Sequence, residues 1–384
     1  MSCNESYLDE LAIMRAELRQ SGVRHVDIRR QTLNPSAMTG SMAKAAPKKA
    51  EAMAVYGATS PPAGIGPRLH TLLVVVVFHA VYLVGPALCL LTPPYLALRG
   101  GLRWDASKKV ALILVLGWLS TWDGAMYKLG KPWPALMRSK LWSLLFSWFP
   151  VTIETPADLR LDGGKIYVFA VHPHGVLAFN RAAFGFDIDT LWNAAFPGVD
   201  FRVLTATAAF YVPIIRELWL WSYCVDASKR TARRVLAARK SILVYPGGER
   251  EQILTRRGEH VLYLSKRKGF VKIALEHGAE LVPMYAFGDT DLFEHHAFLL
   301  GFRKWLVKKL GVAIPLITGS VGLLPHRRPV RIVVGAPLPC PCADGCPTQK
   351  DVDAAHAAYV AALRALFDAH KASCGHAAAK LVIT

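Results

Sequence analysis

The sequence lacks the short motifs that mark several common classes of enzyme and binding protein. It has no G-x-S-x-G element, so a serine nucleophile of the hydrolase type is not expected. It has neither zinc-finger spacing nor an aromatic-basic RNA-binding motif, which disfavours a nucleic-acid partner. The N-terminal residues contain no apolar core of a signal peptide, and we expect no cleavable secretory signal.

Acidic residues are scarce for a chain of this size. The 384 residues include 28 Asp and Glu against 46 Lys and Arg, a formal net charge of +18. Such a protein needs an anionic partner, which could be nucleic acid, an anionic membrane surface or a phosphate-rich substrate. Hydrophobic residues make up 53% of the chain and include long apolar runs, which favour the last two.

The seven cysteines are scattered and form no small disulfide framework. A reduced, cytosol-facing domain is therefore the default expectation. Cys340, Cys342 and Cys346 form a C-x-C-x3-C cluster that could bind a metal. No fourth ligand lies close in sequence, so a Pro-rich surface loop is the preferred interpretation, and we predict no metal site.

The first 130 residues are predicted to hold a tail and a membrane anchor. Residues 1–66 are rich in Ala, Lys, Pro and Ser, which predicts a disordered cytosolic tail. Residues 67–130 contain two apolar runs, 69–91 and 110–122, joined by a basic connector. These runs predict a membrane-embedded helical hairpin, with buried core helices as the alternative. Thr92-Pro93-Pro94 is expected to end the first helix.

Residues 131–384 are predicted to form an α/β layered domain. From about residue 150, apolar runs of strand length alternate with helical patterns. The strand candidates are Lys165–Val171, Phe201–Thr207, Ser241–Tyr245, Glu280–Phe287 and Val330–Gly335. The helix candidates are Ser228–Lys240, Ser265–His277 and Thr348–Lys371.

Residues 297–324 interrupt this domain with an amphipathic segment. Phe302 and Trp305 fall on one helical face, while Arg303 and Lys304 are expected elsewhere. This pattern predicts an interfacial helix lying on anionic lipid, with an ordinary surface helix as the alternative.

The sharpest chemical feature is His172-Pro173-His174-Gly175, at the end of an apolar strand. Removing a proton from an alcohol near neutral pH requires a base, and imidazole suits that task. Pro173 stiffens the turn, and Gly175 would let a substrate approach the backbone closely. A structural turn or a two-histidine metal site is the alternative, but no carboxylate or cysteine nearby completes a metal set.

A second turn, Pro246-Gly247-Gly248, follows another apolar strand. Its amide groups could point at a phosphate or an oxyanion. Arg250 could hold a phosphate or a carbonyl oxygen, and Glu251 could orient a histidine.

A third block is basic and opens a helix. Arg267, Lys268 and Lys272 lie near its start and would suit the phosphates of coenzyme A. A solvated basic face is the alternative for each of them.

These blocks together resemble the type-2 diacylglycerol acyltransferase family, which includes monoacylglycerol and wax-alcohol acyltransferases. The chain carries the family's H-P-H-G, its P-G-G-x-x-E and every fixed position of R-x-G-F-x-K-x-A-x3-G-x2-L-V-P, from Arg267 to Pro283. Trp148-Phe149-Pro150 is similar to the family's Y-F-P element. Pro213, Arg216 and Glu217 match P-x2-R-E, and Arg216 joins the predicted acyl-CoA-binding set. The resemblance covers about residues 69–340.

The chain also resembles the glycerolipid acyltransferases in fold and block order. Those enzymes use a His-x4-Asp pair, but the aspartate position counted from His172 holds Leu177. The dyad is absent, and His174 or Glu251 is the candidate for the missing group.

The resemblance implies an acyl-CoA-dependent O-acyltransferase with no cofactor beyond its co-substrate. His172 is predicted as general base, and His174 is predicted to orient it or to stabilise the oxyanion. The expected acceptor is diacylglycerol, with monoacylglycerol or a long-chain alcohol as alternatives. Endoplasmic reticulum residence with lipid-droplet contact follows from the same likeness, and a homo-oligomer is left open. A basic lipid-surface-binding protein is the non-enzymatic alternative.

Overall fold

The computed structural model describes residues 52–57, 67–99, 106–139, 141–310, 313–341 and 345–384. All of the predicted tail except residues 52–57 therefore lies outside the described residues.

The described residues contain twelve strands, numbered in chain order. They are β1 (Met53–Tyr56), β2 (Val151–Pro156), β3 (Tyr167–His172), β4 (Phe201–Thr205), β5 (Cys224–Asp226), β6 (Ser241–Val244), β7 (Val261–Leu262), β8 (Glu280–Phe287), β9 (Glu294–His295), β10 (Ile317–Thr318), β11 (Val330–Val334) and β12 (Val382–Ile383).

Thirteen α-helices lie in the same described ranges. They are α1 (Pro67–His79), α2 (Gly85–Arg99), α3 (Ala106–Ser120), α4 (Pro134–Met137), α5 (Leu141–Phe146), α6 (Ala182–Gly185), α7 (Trp192–Ala195), α8 (Ile215–Trp221), α9 (Lys229–Ala237), α10 (Gly248–Leu254), α11 (Gly269–His277), α12 (Leu300–Leu310) and α13 (Gln349–His370).

The predicted α/β class is confirmed by an eight-stranded mixed sheet. Its strand order is β1-β2-β11-β8-β3-β6-β4-β5. From β8 to β5 the neighbouring strands are parallel, whereas β11 runs antiparallel to β8. Strands β3 and β8 are apolar and almost wholly buried, as expected for central strands covered on both faces. Because β6, β3 and β8 are parallel, their carboxyl ends lie side by side along one border of the sheet, called the strand edge below.

Helices cover both faces of this sheet. Helices α9, α11 and α13 supply one core, which includes Phe270 and Tyr359. Short helices and α1 supply the other, an aromatic core around Phe169, Phe184 and Trp192. Successive residues of β3 alternate between the two cores because side chains on a strand alternate between its faces.

The apolar N-terminal segment runs past the prolines that were expected to end it. Helix α2 contains Pro93 and Pro94 and continues to Arg99, so the predicted break is wrong. A π-helical turn, Ala80–Val84, joins α1 to α2, and the Gly85 N–H donates to Ala80 O. This wider turn makes room for the ring of Pro86, and apolar helices tolerate proline where neighbours satisfy the freed carbonyls. Helices α2 and α3 pack against each other.

The prediction of a disordered tail over residues 1–66 is wrong for the short segment Met53–Tyr56. Strand β1 pairs antiparallel with β2, from Met53 opposite Pro156 to Tyr56 opposite Ile153. These four residues therefore form an edge strand of the eight-stranded sheet, and the boundary at residue 66 does not hold for them.

Helix α12 exposes its aromatic face as predicted for the interfacial segment. Phe302 and Trp305 are about half exposed, and their rings stack with centroids 5.8 Å apart. Arg303 departs from the predicted pattern, because it is only 3% exposed and not on the solvated face of the helix. Its guanidinium donates to the carbonyls of His296, Phe298 and Ile314, which ties the segment together.

Candidate active site

Three loops meet where adjacent parallel strands end. The histidine loop follows β3, the Gly247-Gly248 turn follows β6, and Gly288-Asp289 follows β8. Ligands of parallel α/β sheets bind at the carboxyl ends of the strands, so this edge is the natural place for a site. The sequence blocks are brought together because β6, β3 and β8 are neighbours.

His172 is the last residue of β3, and its side chain is enclosed in the core against Tyr359 of α13. Its side chain is fully buried, and Nε2 lies 3.0 Å from the Tyr359 hydroxyl, which itself donates to Ala170 O at 3.1 Å. Nδ1 has no partner among the described residues. Burial lowers the pKa of His172 to about 3. A buried imidazole of such low basicity, with Nε2 held against Tyr359, is poorly placed to take a proton from a substrate, so the geometry favours His174 over His172 as the general base.

His174 is the partly exposed histidine of the loop. Its Nδ1–H donates to Gly175 O at 3.0 Å, which leaves Nε2 as the acceptor nitrogen. The ring lies edge-on to Tyr245, with centroids 5.4 Å apart. Burial lowers the pKa of His174, while the hydrogen bond to Gly175 O opposes that shift. A neutral imidazole with a free acceptor nitrogen is what a general base requires.

Glu251 positions the histidine loop through its backbone rather than through an imidazole ring. The buried carboxylate accepts the N–H of His174 at 2.5 Å and that of Tyr263 at 2.9 Å. Burial raises the pKa of Glu251 to about 7, although both hydrogen bonds favour the charged form. The predicted contact between this carboxylate and a histidine ring is therefore replaced by a contact with a main-chain amide.

Gly247 and Gly175 lie so close to the carboxylates of Glu251 and Asp289, respectively, that neither position has room for a side chain. A Cβ on Gly247 would lie 2.1 Å from Glu251 Oε2, and a Cβ on Gly175 would lie 1.8 Å from Asp289 Oδ2. Gly175 also has a φ of +63°, a conformation that residues with a side chain adopt only at a cost. Gly248 has a φ of +55°, and its N–H donates to Tyr245 O, so this amide is not available to an oxyanion.

A buried polar chain that we did not predict ties the three loops together. Asn180 donates its backbone N–H to Asp289 Oδ1 at 2.8 Å and its side-chain amide to Pro173 O at 3.3 Å. The Tyr245 hydroxyl donates to the Asn180 side-chain oxygen. Burial raises the pKa of Asp289 to about 7. Asp289 was visible in the sequence only as the residue after Phe287-Gly288, and nothing in the sequence marked Asn180.

Of the basic residues predicted to bind acyl-CoA or a phosphate, two arginines lie close together and the two lysines lie apart from them. Arg250 and Arg267 both lie close to the Tyr263 ring, with guanidinium carbons 5.3 and 5.1 Å from its centroid. Arg250 also donates to the Tyr263 hydroxyl, and Arg267 donates to Gly247 O. Lys268 pairs with Asp353 at 2.7 Å, whereas Lys272 is exposed on α11.

Arg216 does not belong to this cluster. It is 3% exposed and forms ion pairs with Glu217 and with Asp123, the latter at 3.4 Å. Its charge is already paired inside the fold, which does not support the predicted role in acyl-CoA binding. The ion pair instead fixes helix α8 to the segment that follows α3.

An apolar cavity of about 320 Å³ opens beside the histidine loop. Leu177, Ala178 and Phe179 of that loop form one wall, and Phe78 and Tyr82 of the long apolar helix form another. Leu177, which occupies the aspartate position of the His-x4-Asp pair, is therefore a cavity residue. A space of this size and lining suits an aliphatic chain.

The cysteine cluster acquires no ligand set in the described part of the chain. Cys340 is buried and free, Cys346 is disulfide-bonded, and Cys342 lies outside the described residues. In the ranges that the structure covers, no group of three His, Cys, Asp or Glu side chains could hold a metal ion.

The histidine loop, the glycine turn and the apolar cavity lie together near the carboxyl ends of the strands, where ligands of α/β sheets bind. The family model for diacylglycerol acyltransferase matches residues 107–384, and the chain belongs to that family. It is therefore an acyltransferase, from a family of enzymes for acylglycerols and wax alcohols.

Relatives with different acceptors in their names are similar to this chain. Acyl-CoA wax alcohol acyltransferase 2 of Mus musculus is 34% identical over 68% of this chain and 82% of its own length. Diacylglycerol O-acyltransferase 2A of Umbelopsis ramanniana is 33% identical over 68% and 77%. A solved structure, the 1-acyl-sn-glycerophosphate acyltransferase PlsC of Thermotoga maritima, aligns over 77% of this chain and 96% of its own, with 12% identity and a TM-score of 0.37.

Proposed function

We propose that the chain transfers the acyl group of acyl-CoA to the free hydroxyl of diacylglycerol, forming triacylglycerol, with His174 as general base. The observation that carries this proposal is the hydrogen bond of the His174 ring, whose Nδ1 lies 3.0 Å from Gly175 O. Its Nδ1 proton is held by Gly175 O, and its Nε2 is left to accept a proton at the edge where the strands end.

In this mechanism the substrates react directly. His174 Nε2 removes the proton of the acceptor hydroxyl, and the oxygen attacks the thioester carbonyl. The amides of Gly175 and Gly247, which donate to no group within the described residues, are the proposed oxyanion donors. The carbon–sulfur bond then breaks, and coenzyme A leaves as a thiolate, since a thiol has a pKa of about 8.5. The proton on His174 passes to this thiolate or to solvent.

The phosphates of acyl-CoA are proposed to bind at Arg250 and Arg267. The two guanidinium carbons lie 5.3 and 5.1 Å from one ring and could hold a phosphate together, while the long pantetheine arm would have to carry the thioester to the histidine loop. Exposed Lys272 adds positive charge on the neighbouring helix.

The membrane is proposed to deliver the acceptor and to hold the acyl chains. Residues Arg68–Arg99 form the one helix of the described segments that is long and apolar enough to cross a bilayer, and only 17% of its most apolar window is buried. This helix contributes Phe78 and Tyr82 to the cavity, so the cavity adjoins the proposed membrane anchor. We propose that α2 and α3 form a membrane hairpin, that α12 lies on the bilayer surface, and that the enzyme resides in the endoplasmic reticulum membrane with its catalytic domain facing the cytosol.

The reaction and its acceptor can be tested together. The full chain, reconstituted in nanodiscs, would receive radiolabelled oleoyl-CoA with diacylglycerol, monoacylglycerol or a fatty alcohol. We expect most label in triacylglycerol. Label mainly in a wax ester or in diacylglycerol would retain the mechanism and contradict the acceptor, whereas no ester from a folded sample would contradict the proposal.

A further inference from the structure

The cavity beside the histidine loop contains a buried cation. Arg181 lines the cavity, yet its side chain is 8% exposed. One guanidinium nitrogen donates to Cys224 Sγ at 2.9 Å, and the guanidinium carbon lies 3.5 Å from the centroid of the Trp219 ring. Within the described residues, no carboxylate pairs with Arg181.

The surroundings of Arg181 are otherwise apolar. Phe78, Tyr82, Phe179 and Trp219 are among the cavity residues, and Arg181 is the only charged side chain among the described residues that line it. A thiol is a weak acceptor, and an indole face satisfies only one side of the guanidinium plane. Several of the five N–H donors therefore lack a strong acceptor.

Such a cation is expensive to bury without a counter-charge. Taking a charge out of water costs several kcal/mol unless an opposite charge or full hydrogen bonding offsets it. A ligand that brings an anion into the cavity would recover this cost. Its remaining atoms would have to be apolar, because the rest of the lining offers aromatic and aliphatic surface.

We propose that Arg181 and this cavity form a binding site for the carboxylate of a long-chain fatty acid. A carboxylate carries one negative charge and matches the guanidinium fork with two parallel hydrogen bonds. A phosphate monoester carries close to two charges and would leave one of them unpaired beside a single arginine. The aliphatic tail would lie against Phe78, Tyr82 and Phe179.

This site has a consequence that rests on the proposed function. If the same cavity holds an acyl chain during transfer, a free fatty acid should compete for it. Inhibition by oleate would then be weaker in a variant without the cation. The binding site itself does not depend on transferase activity, because it can be measured without acyl-CoA.

The test is equilibrium binding of radiolabelled oleate at pH 8 to the full chain in phosphatidylcholine nanodiscs, with empty nanodiscs subtracted. Arg181→Met should weaken oleate binding by tenfold or more, and Arg181→Lys should recover part of the affinity. Arg202→Met is the matched control, since Arg202 is also buried, at 6% exposed, but pairs with Asp200 away from the cavity. Thermal unfolding would show that each variant is folded.

Neutral oleyl alcohol and a lysophosphatidate serve as competing probes. We expect oleyl alcohol to bind equally to wild type and Arg181→Met, and lysophosphatidate to compete more weakly than oleate. Oleate affinity unchanged in folded Arg181→Met would overturn the proposal and leave Arg181 as a packing residue. Lysophosphatidate that binds more tightly than oleate, in an Arg181-dependent manner, would overturn the carboxylate assignment. If the wild-type chain binds oleate in an Arg181-dependent manner but shows no transferase activity, only the proposed function is contradicted.

Discussion

Gly175→Ala should damage the active site far more than its size suggests. Two separate costs act at this position. The φ of +63° is unfavourable for an L-residue by about 1–2 kcal/mol. The added Cβ would also lie 1.8 Å from Asp289 Oδ2, so that oxygen must retreat by about 1.6 Å to reach the ordinary contact distance of 3.4 Å.

The second cost reaches the histidine loop through Asn180. Moving the Asp289 carboxylate strains or breaks its 2.8 Å hydrogen bond to the Asn180 N–H. A buried amide that loses its partner costs about 1–3 kcal/mol. We therefore expect Gly175→Ala to destabilise the fold by roughly 2–5 kcal/mol in total, and to displace His174.

Gly258→Ala is the matched control. Gly258 has a φ of +70° and lies on an exposed turn, and a Cβ there meets nothing within 4 Å. The control carries the backbone cost alone, about 1–2 kcal/mol. Thermal unfolding and acyl transfer would be measured for both variants. We expect a large fall in melting temperature and a loss of at least about 100-fold in turnover for Gly175→Ala only.

Equal behaviour of the two variants would refute this reasoning. It would mean that Asp289 moves away from Gly175 without cost, and that the polar chain through Asn180 does not hold the loop.

Three further predictions concern charge and surface. The pKa of Glu251 is raised to about 7, so the stability that its protonated form contributes is complete below about pH 4.5 and is lost as pH rises through 7. The free energy of unfolding of Glu251→Gln should therefore depend less on pH over this range than that of the wild type. An unchanged pH profile would contradict the raised pKa of Glu251. Arg216→Met should lower the melting temperature without changing KM for acyl-CoA, whereas Arg267→Met should raise that KM severalfold; the reverse pattern would restore the original role of Arg216. Replacing Phe302 and Trp305 with Ser should weaken vesicle binding of the detergent-solubilised chain, and unaltered binding would contradict an interfacial α12.

The sequence predicted the central sheet well because its strands are long or continuously apolar. Strand β8 was predicted with its observed bounds, and β3 and β6 within two residues. Strands β2 and β5 were missed, since β2 mixes polar with apolar residues and β5 has only three. The order of the strands depends on contacts between distant segments, which a single sequence does not contain.

The motifs located the site, but not the direction in which each side chain points. His172 and His174 are separated by one residue and look equivalent in sequence. The last residue of β3 turns into the core against Tyr359, and the loop residue after Pro173 faces the strand edge. Arg216 shows the same limit, because its second partner, Asp123, lies 93 positions away, although its first, Glu217, is the next residue of the motif.

The central claim is that His174, and not His172, is the base, and turnover of two variants tests it directly. His172→Gln keeps an N–H for the Tyr359 hydroxyl, and His174→Gln removes the acceptor nitrogen from the strand edge. Rates would be measured with saturating oleoyl-CoA and diacylglycerol on folded protein in nanodiscs. The account predicts that His172→Gln stays within about tenfold of wild type, and that His174→Gln falls by about 100-fold to 10,000-fold. Near-wild-type turnover in His174→Gln, with the activity lost in His172→Gln, would contradict it.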